Sequence, residues 1–300
     1  MNNLTIKEAR KKLDNKEISS VELTRSYLET IKSHNEKLNA FLTITEDVAL
    51  KDAEAADARI ANGESTPMLG IPIAHKDLFQ TKGIRTTAAS KVLENYTAQY
   101  DGTAVKRLKD AGAVLLGKTN LDAWAHGSSG ENSDFGPTKN PYNTEFVPGG
   151  SSSGSPVAVA ADLALAASGT DTGGSIRLPA SFCNVVGLKP TYGRVSRYGV
   201  ISMASSLDSI GHFTKTVEDN AMYLQITAGR DPMDATTPPV EVPNYINDLN
   251  KGVKGLKIGV PQEYFIEGLD SKVKNEIEKA LSWYESEGAE LIEVSLPHTS

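Results

Sequence analysis

The sequence predicts an α/β protein with a mixed, largely parallel central sheet that helices cover on both faces. From residue 69 onward, short apolar runs alternate with segments of helical pattern. Gly-rich turns separate these elements, and strands that alternate with helices are typical of sheets containing parallel pairs. The chain has 39% hydrophobic and 23% charged residues, which is ordinary for a globular protein.

The first 66 residues are predicted to form a helical segment that packs on a core of residues 67–300. Thr5 with Glu8, and Ser19 with Glu22, fit the capping box, in which a hydroxyl and a carboxylate satisfy free amides at a helix start. An Ala- and charge-rich stretch at 46–61 predicts another surface helix, which Asn-Gly ends.

The core is predicted to alternate strands with helices. The predicted strands are 70–74, 113–116, 185–188, 256–260 and 291–294, and the predicted helices are 104–111, 156–167, 217–228 and 271–287. Four prolines make 230–250 an irregular surface connection. Because the last helix and strand have no further element to pack on, we expect the fold to be incomplete at its C-terminus.

Composition and charge exclude several classes of protein. The chain of 300 residues carries a net charge of −7, which argues against unaided binding of nucleic acid. No apolar run approaches the roughly 18 residues of a membrane helix, and the N-terminus has no apolar signal core. Cys183 is the single cysteine, which excludes an internal disulfide and a cysteine-based metal cluster. We expect a cytoplasmic protein that binds no membrane.

Two loops of small residues, 149–155 and 169–177, flank an Ala-rich segment. Gly/Ser runs are often flexible linkers. Linkers, however, do not normally bracket a segment whose side chains are small enough for burial. The pattern therefore favours two loops that meet on one core.

A nucleotide-binding P-loop is one interpretation of the neighbouring sequence, since residues 112–119 match G-x-x-x-x-G-K-[ST]. The variable positions of a P-loop form an open loop whose amides cradle phosphates. Ala-Val-Leu-Leu is instead typical of a buried strand with its amides committed to a sheet. The sequence favours a structural strand, in which Lys118 affects stability only.

A nucleophile elbow is a second interpretation, because residues 150–154 match G-x-S-x-G with Ser152 at the centre. That motif needs a strand directly before it, and an acid and then a histidine downstream. Residues 144–148 are a poor strand that ends in proline, and His212 and His298 are the histidines downstream. The sequence therefore does not favour a nucleophile elbow.

A third interpretation makes Lys76 a catalytic base. Lysine–serine arrangements can activate a hydroxyl nucleophile. An ordinary lysine, with a pKa of about 10.4, is protonated at neutral pH, so burial or nearby positive charge must disfavour its ammonium by about 4–5 kcal/mol. An apolar strand and a Gly/Ser pocket can supply this, provided that the carboxylate of Asp77 points elsewhere.

Lys76, residues 149–155 and residues 170–177 together resemble the amidase signature family of amide hydrolases. Ser151 and Ser175 are 24 residues apart, as the paired serines of that family are. The runs 131–138, 189–199 and 204–208 resemble one branch of it, the ammonia-producing subunits of tRNA-dependent amidotransferases.

The resemblance implies a Ser-Ser-Lys triad. Ser175 would be the nucleophile, Lys76 the base, and Ser151 the bridge that carries the proton between them. The resemblance also implies that the peptide bond between Gly150 and Ser151 is cis. The resemblance further implies supporting residues: amides of Thr172, Gly173, Gly174 and Ser175 as the oxyanion hole, and Ser152 and Asp171 behind the triad. No metal is expected, and Cys183 is expected to be a buried structural residue.

The resemblance also implies substrate and partners. Glutamine would be hydrolysed to glutamate, and its ammonia would pass to a heterotrimeric complex whose other subunits hold the tRNA and use ATP and Mg²⁺. This chain itself would need no cofactor. Ser153 departs from the family's usual glycine, and members continue past residue 300 with residues that hold glutamine. We therefore expect the isolated chain to be poorly active.

Two other functions stay open at this point. A stand-alone amidase of small or aryl amides would use the same triad without tRNA or partners. An inactive truncated scaffold would only bind other proteins. Covalent trapping of Ser175 and the effect of partner subunits on hydrolysis separate these alternatives.

Overall fold

A computed structural model describes residues 3–299, which form two compact units. The first unit ends at Ile246 and the second begins at Asn247. The sequence instead suggested a division near residue 66 and a single core over 67–300. The structure groups the N-terminal helices with the sheet that follows them.

The first unit contains seven α-helices and six strands among the described residues. Its helices are α1 (Ile6–Asp14), α2 (Ser20–Leu38), α3 (Glu46–Ala61), α4 (Thr103–Asp110), α5 (Gly154–Ala160), α6 (Arg177–Phe182) and α7 (Val217–Thr227). Its strands are β1 (Phe41–Ile44), β2 (Pro72–Lys76), β3 (Val114–Thr119), β4 (Ala166–Asp171), β5 (Val186–Leu188) and β6 (Ser209–Thr214).

The six strands form one mixed sheet in the order β1-β3-β2-β4-β6-β5. Strand β2 pairs in parallel with both β3 and β4, whereas β1–β3, β4–β6 and β5–β6 are antiparallel. The predicted mixed sheet with helices is confirmed. The description "largely parallel" was too strong, since antiparallel pairings outnumber parallel ones in the described sheet.

The predicted capping boxes are confirmed at the starts of α1 and α2. Thr5 and Ser19 each accept a bond from the amide of a glutamate three residues on, while that glutamate accepts from the amide of the cap. Helix α3 has the predicted bounds. Local chemistry therefore fixes this helical region.

Strands β1, β4 and β6 were not predicted. The Ala-rich segment 156–167 was expected to be one helix, but α5 ends at Ala160 and β4 begins at Ala166. Asp162, with φ at +58°, lies in the turn between them. Alanine and glycine give β4 no strand-like composition, so burial among its neighbours outweighs local propensity.

The second unit is a parallel β-α-β unit. Strands β7 (Lys257–Pro261) and β8 (Glu290–Val294) pair in parallel, and helix α8 (Ser271–Ser286) connects them. The Asp270 side chain caps α8 by accepting bonds from two amides. Residues 230–250 include the boundary between the two units and form turns, bends and the isolated bridge between Asp231 and Asp234, as the predicted irregular connection requires.

The topology of the first unit brings two loops to one edge of the sheet. Because β2 and β4 are parallel neighbours, their carboxyl ends, Lys76 and Asp171, lie at the same edge.

No helix in the described part of the chain combines the length and the apolar character that a membrane span requires.

Candidate active site

Lys76 is the last residue of β2, and its side chain is fully buried. Its Nζ donates a 2.9 Å hydrogen bond to Ser151 Oγ and a 2.8 Å bond to Thr170 Oγ1. Its main-chain amide donates to Ser168 Oγ at 3.2 Å. The lysine is therefore held in one position between the two small-residue loops.

The electrostatic surroundings of Lys76 favour the neutral amine. Burial lowers its pKa to about 7, against the opposing pull of the carboxylates of Asp122, Asp171 and Asp208. Removal of an ammonium from water is costly, which explains the direction. A substantial fraction of Lys76 is consequently unprotonated near neutral pH.

The carboxylate of Asp77 points away from Lys76, as predicted. Asp77 Oδ1 lies 3.1 Å from Lys118 Nζ, with both side chains fully buried. Asp77 Oδ2 accepts bonds from the amide and the hydroxyl of Thr87 at 2.8 and 2.6 Å. The negative charge of Asp77 thus neutralises the positive charge of Lys118, and Asp77 makes no ion pair with Lys76 in the described structure.

Lys118 lies in strand β3, not in a phosphate-binding loop. Its Nζ donates to Phe79 O and to Thr86 Oγ1, each at 2.8 Å. The rest of the P-loop match forms the buried strand that pairs with β1 and β2. The structure supports the structural interpretation of this motif.

The loop that carries Ser151 precedes α5, and Ser151, Ser152 and Ser153 are all fully buried. The Gly150–Ser151 peptide bond is cis. Ser152 Oγ donates to Thr170 O at 3.1 Å, so this side chain bonds to the main chain of β4. The residues before the loop form turns, not the strand that a nucleophile elbow requires.

Ser153, which departs from the glycine that the resemblance implies, is fully buried. Its hydroxyl lies 3.0 Å from Thr138 Oγ1, and either oxygen can be the donor. The extra side-chain atoms are accommodated by this buried hydroxyl pair.

Ser175 lies in the second loop and is nearly buried, with 8% of its surface exposed. The amide of Ser152 donates to Ser175 O at 3.3 Å, which joins the two loops through the main chain. Within residues 3–299, no hydrogen bond joins Ser175 Oγ to Lys76 or Ser151. The structure therefore brings Lys76 and Ser151 into direct contact, and it places Ser175 beside the loop that carries Ser151.

Asp171 shapes the loop that leads to Ser175. Its carboxylate accepts two bonds from the Arg177 guanidinium, both 3.0 Å, and others from the amides of Gly174 and Ile176. Burial alone would raise the pKa of Asp171, but these donors hold it below its ordinary value. The Asp171 carboxylate therefore holds the turn between Asp171 and Arg177 in one conformation.

The hydrogen bonds of Asp171 correct the prediction for one of the oxyanion donors. The amide of Gly174 donates to Asp171 Oδ1 at 2.8 Å, so it is not free for a developing oxyanion. The amides of Thr172, Gly173 and Ser175 make no such bond to Asp171 in the described structure. Beside Gly173 and Gly174, a hypothetical Cβ would meet open space, so the loop faces an accessible region.

Three residues near Lys76 and Ser151 were missed in the sequence prediction of the site. Thr170 lies within the second small-residue loop, and Asp208 ends the run 204–208, so each had a local signal. Asp208 accepts bonds from Thr172 Oγ1 and Ser202 Oγ, both at 2.7 Å. Asp122 lies in an unremarkable stretch, and only the fold brings it to the site.

The candidate site contains carboxylates but no metal-binding arrangement. Among residues 3–299, no three His, Cys, Asp or Glu side chains cluster in a way that could hold a metal ion.

Comparisons with known proteins identify relatives of the whole chain. A protein family model described as Amidase matches residues 22–300. The A-subunit of glutamyl-tRNA(Gln) amidotransferase from Geobacter metallireducens is 58% identical over 296 residues, which cover 99% of this chain and 61% of that protein. The chain thus spans about 61% of the length of this relative.

Solved structures agree with the sequence relatives. The crystal structure of the glutamyl-tRNA(Gln) amidotransferase A-subunit from Thermotoga maritima has a TM-score of 0.88 and 43% identity, covering 99% of this chain and 62% of that one. A native peptide amidase from Stenotrophomonas maltophilia has a TM-score of 0.92 and 38% identity, covering 99% and 63%.

Proposed function

Because this chain belongs to the amidase family, we propose that it is the ammonia-producing glutamine amidohydrolase of a tRNA-dependent amidotransferase. The observation that carries the proposal is the buried Lys76 Nζ on Ser151 Oγ, with the lysine pKa lowered to about 7. A relative 58% identical over nearly the whole chain bears the name of the A-subunit of such an enzyme.

In the proposed reaction, Ser175 Oγ attacks the side-chain carboxamide carbon of glutamine. The hydroxyl proton of Ser175 passes to Ser151, and that of Ser151 passes to neutral Lys76. The amides of Thr172, Gly173 and Ser175 stabilise the oxyanion that forms. Three donors of this kind can supply several kcal/mol of transition-state stabilisation, at roughly 3 kcal/mol for a single donor.

Collapse of the tetrahedral intermediate breaks the C–N bond. The proton on Lys76 returns through Ser151 to the leaving nitrogen, so ammonia departs as a neutral molecule. Water then attacks the glutamyl ester on Ser175, and its proton passes through Ser151 to Lys76. As the C–O bond to Ser175 breaks, that proton returns through Ser151 to Ser175 Oγ, so glutamate is released and the neutral lysine is restored. Ser152 and Asp171 hold the two loops in register and take no proton.

The ammonia would serve partner subunits B and C of a heterotrimer. We propose that the complex uses ATP and Mg²⁺ to activate glutamate on misacylated tRNA, and that one of the partners holds that tRNA. The net charge of −7 supports this division, because like charge disfavours tRNA binding to this chain. We propose no cofactor for the chain itself and a cytoplasmic location, where aminoacyl-tRNA is used.

The test is ammonia release from glutamine by this chain, alone and with subunits B and C. Hydrolysis that rises on complex formation, and that Ser175→Ala abolishes, supports the proposal. Ser181→Ala is the matched control, because Ser181 is an exposed serine on α6. Glutamine hydrolysis that Ser175→Ala leaves intact contradicts it.

A stand-alone amidase is the second candidate, and the similarity to a peptide amidase favours it. This candidate predicts hydrolysis of a simple amide without partners and no increase when they are added. An inactive scaffold predicts neither activity nor a covalent adduct on Ser175.

A further inference from the structure

Asp122 is a fully buried carboxylate beside the triad that the mechanism above does not use. Its Oδ1 accepts bonds from the amides of Asn132 at 2.9 Å and Gly130 at 3.1 Å. Among residues 3–299, no ion pair includes Asp122. A buried anion with only amide donors is costly unless a positive charge lies near.

Two contacts tie Asp122 to the loop that carries Ser151. Its main-chain amide donates to Ser151 O at 3.0 Å. Its Oδ2 lies so close to Gly150 that a Cβ there would approach it to 2.0 Å, so only glycine fits. The carboxylate is thus fixed against the peptide unit that presents the Ser151 hydroxyl to Lys76.

The other carboxylates near Lys76 are better satisfied. Asp171 is paired with Arg177 at 3.0 Å. Asp208 accepts bonds from two hydroxyls and from the amides of Met203 and Ala204. Asp77, the next residue in the chain, is occupied by Lys118. Asp122 is the one of these four that has neither a cation nor a hydroxyl as donor in the described structure.

We infer that Asp122 is a positioning residue for the triad, as the fixed counter-charge for the ammonium that forms when Lys76 accepts a proton. The assignment rests on the proposed function of Lys76 as base. It gives Asp122 a definite role, because a buried amine whose protonated form had no counter-charge would accept a proton too weakly to activate Ser175.

Asp122→Asn tests this assignment, because an amide keeps the size and removes the charge. Both amide bonds to Oδ1 can survive, since the carbonyl oxygen of asparagine can occupy that position. The protonation of Lys76 is followed by NMR of the chain labelled with ¹³C at lysine Cε. The Lys76 signal is the one that disappears in Lys76→Met.

The expected result is that the titration midpoint of Lys76 falls by about one pH unit or more in Asp122→Asn, a tenfold loss in proton affinity. Asp57→Asn is the matched control. Asp57 also accepts two amide bonds, from Ser20 and Val21 at 2.7 and 3.1 Å, but it is not among the carboxylates that act on Lys76. Its variant should leave the midpoint unchanged.

A folded Asp122→Asn protein with an unchanged or raised Lys76 midpoint overturns the inference. If circular dichroism shows that this variant does not fold, Asp122→Ser, a smaller neutral acceptor, is titrated with the same two outcomes. The titration needs no turnover, so it can succeed or fail independently of glutamine hydrolysis. Failure of the proposed function would be detected by a different measurement, covalent trapping, in which Ser175 would form no adduct.

Discussion

Lys76 and Ser151 are 75 positions apart in the chain, yet a 2.9 Å hydrogen bond joins the lysine Nζ to the serine Oγ in a site where neither side chain is exposed. Strand β2 delivers the lysine, and the loop before α5 delivers the serine. Burial favours the neutral amine while nearby carboxylates oppose it, and the balance brings the lysine pKa to about 7.

Lys76→Met should abolish useful amide hydrolysis and leave the fold intact. General base catalysis contributes about 10²–10⁴-fold, and methionine fills a similar buried space without the charge. Ammonia release in the presence of the partner subunits measures the first effect, and thermal melting measures the second. A variant with near-native turnover would show that Lys76 is not the base.

Lys118→Met should reduce stability and serves as the matched comparison, because Lys118 is also a fully buried lysine. The substitution leaves Asp77 buried without its cation, which typically costs about 3–5 kcal/mol of unfolding free energy. Urea unfolding monitors the loss. Unchanged stability, or a loss of ATP affinity in this chain, would favour the nucleotide-binding interpretation instead.

Thr170→Val should slow hydrolysis about tenfold, whereas Thr170→Ser should restore most of the rate. Thr170 Oγ1 accepts a 2.8 Å bond from Lys76 Nζ, and loss of one hydrogen bond of this kind is worth roughly 1–2 kcal/mol. Rates for the two variants, compared at saturating substrate, test the role of the hydroxyl. Equal rates for valine and serine would contradict it.

Cys183 should resist thiol reagents in the native protein. It is fully buried, and burial raises the pKa of its thiol to about 12, so little thiolate exists at neutral pH. Labelling by a disulfide reagent is expected only as the chain unfolds in urea. Rapid labelling without denaturant would disagree with this environment.

His212→Phe should weaken the loss of stability at acid pH. Burial lowers the pKa of His212 and of His75 to about 3, so the unfolded chain, with histidine pKa near 6.5, binds more protons below that value. Stability is therefore retained above about pH 6.5 and falls as pH decreases toward 3, by up to about 1.4 kcal/mol per pH unit for each histidine.

The measurement for His212 is urea unfolding at several pH values between 7 and 4. His212 stacks on Tyr223 with ring centroids 4.4 Å apart, so phenylalanine preserves that contact. The variant should show a shallower dependence on pH than the parent chain. An identical slope would mean that His212 is not kept neutral in the folded state.

Sequence patterns predicted elements whose cause is local. The capping boxes at Thr5 and Ser19 and the bounds of α3 depend on residues a few positions apart, and they were predicted well. Strand β4 was missed because alanine and glycine carry no strand signal, and its burial between β2 and β6 decides its conformation.

The residues of the candidate site also fall into those that a local motif identified and those that only the fold revealed. Lys76, Ser151 and Ser175 lie in motifs, so the sequence could single them out. Asp122 could not be found, because its importance comes from contacts with Gly150 and Ser151 that are distant in the chain. The Gly174 amide was assigned wrongly, since its bond to Asp171 depends on how the loop turns.

The most direct test of Lys76 as the activating base is the reaction of this chain with a small alkyl fluorophosphonate, which phosphonylates activated serine hydroxyls with loss of fluoride. Peptide mapping by mass spectrometry should place a single adduct on Ser175, at a rate that rises with pH around a midpoint near 7 and collapses in Lys76→Met. Adducts on other serines, or a rate on Ser175 that Lys76→Met leaves unchanged, would contradict a buried neutral lysine as that base.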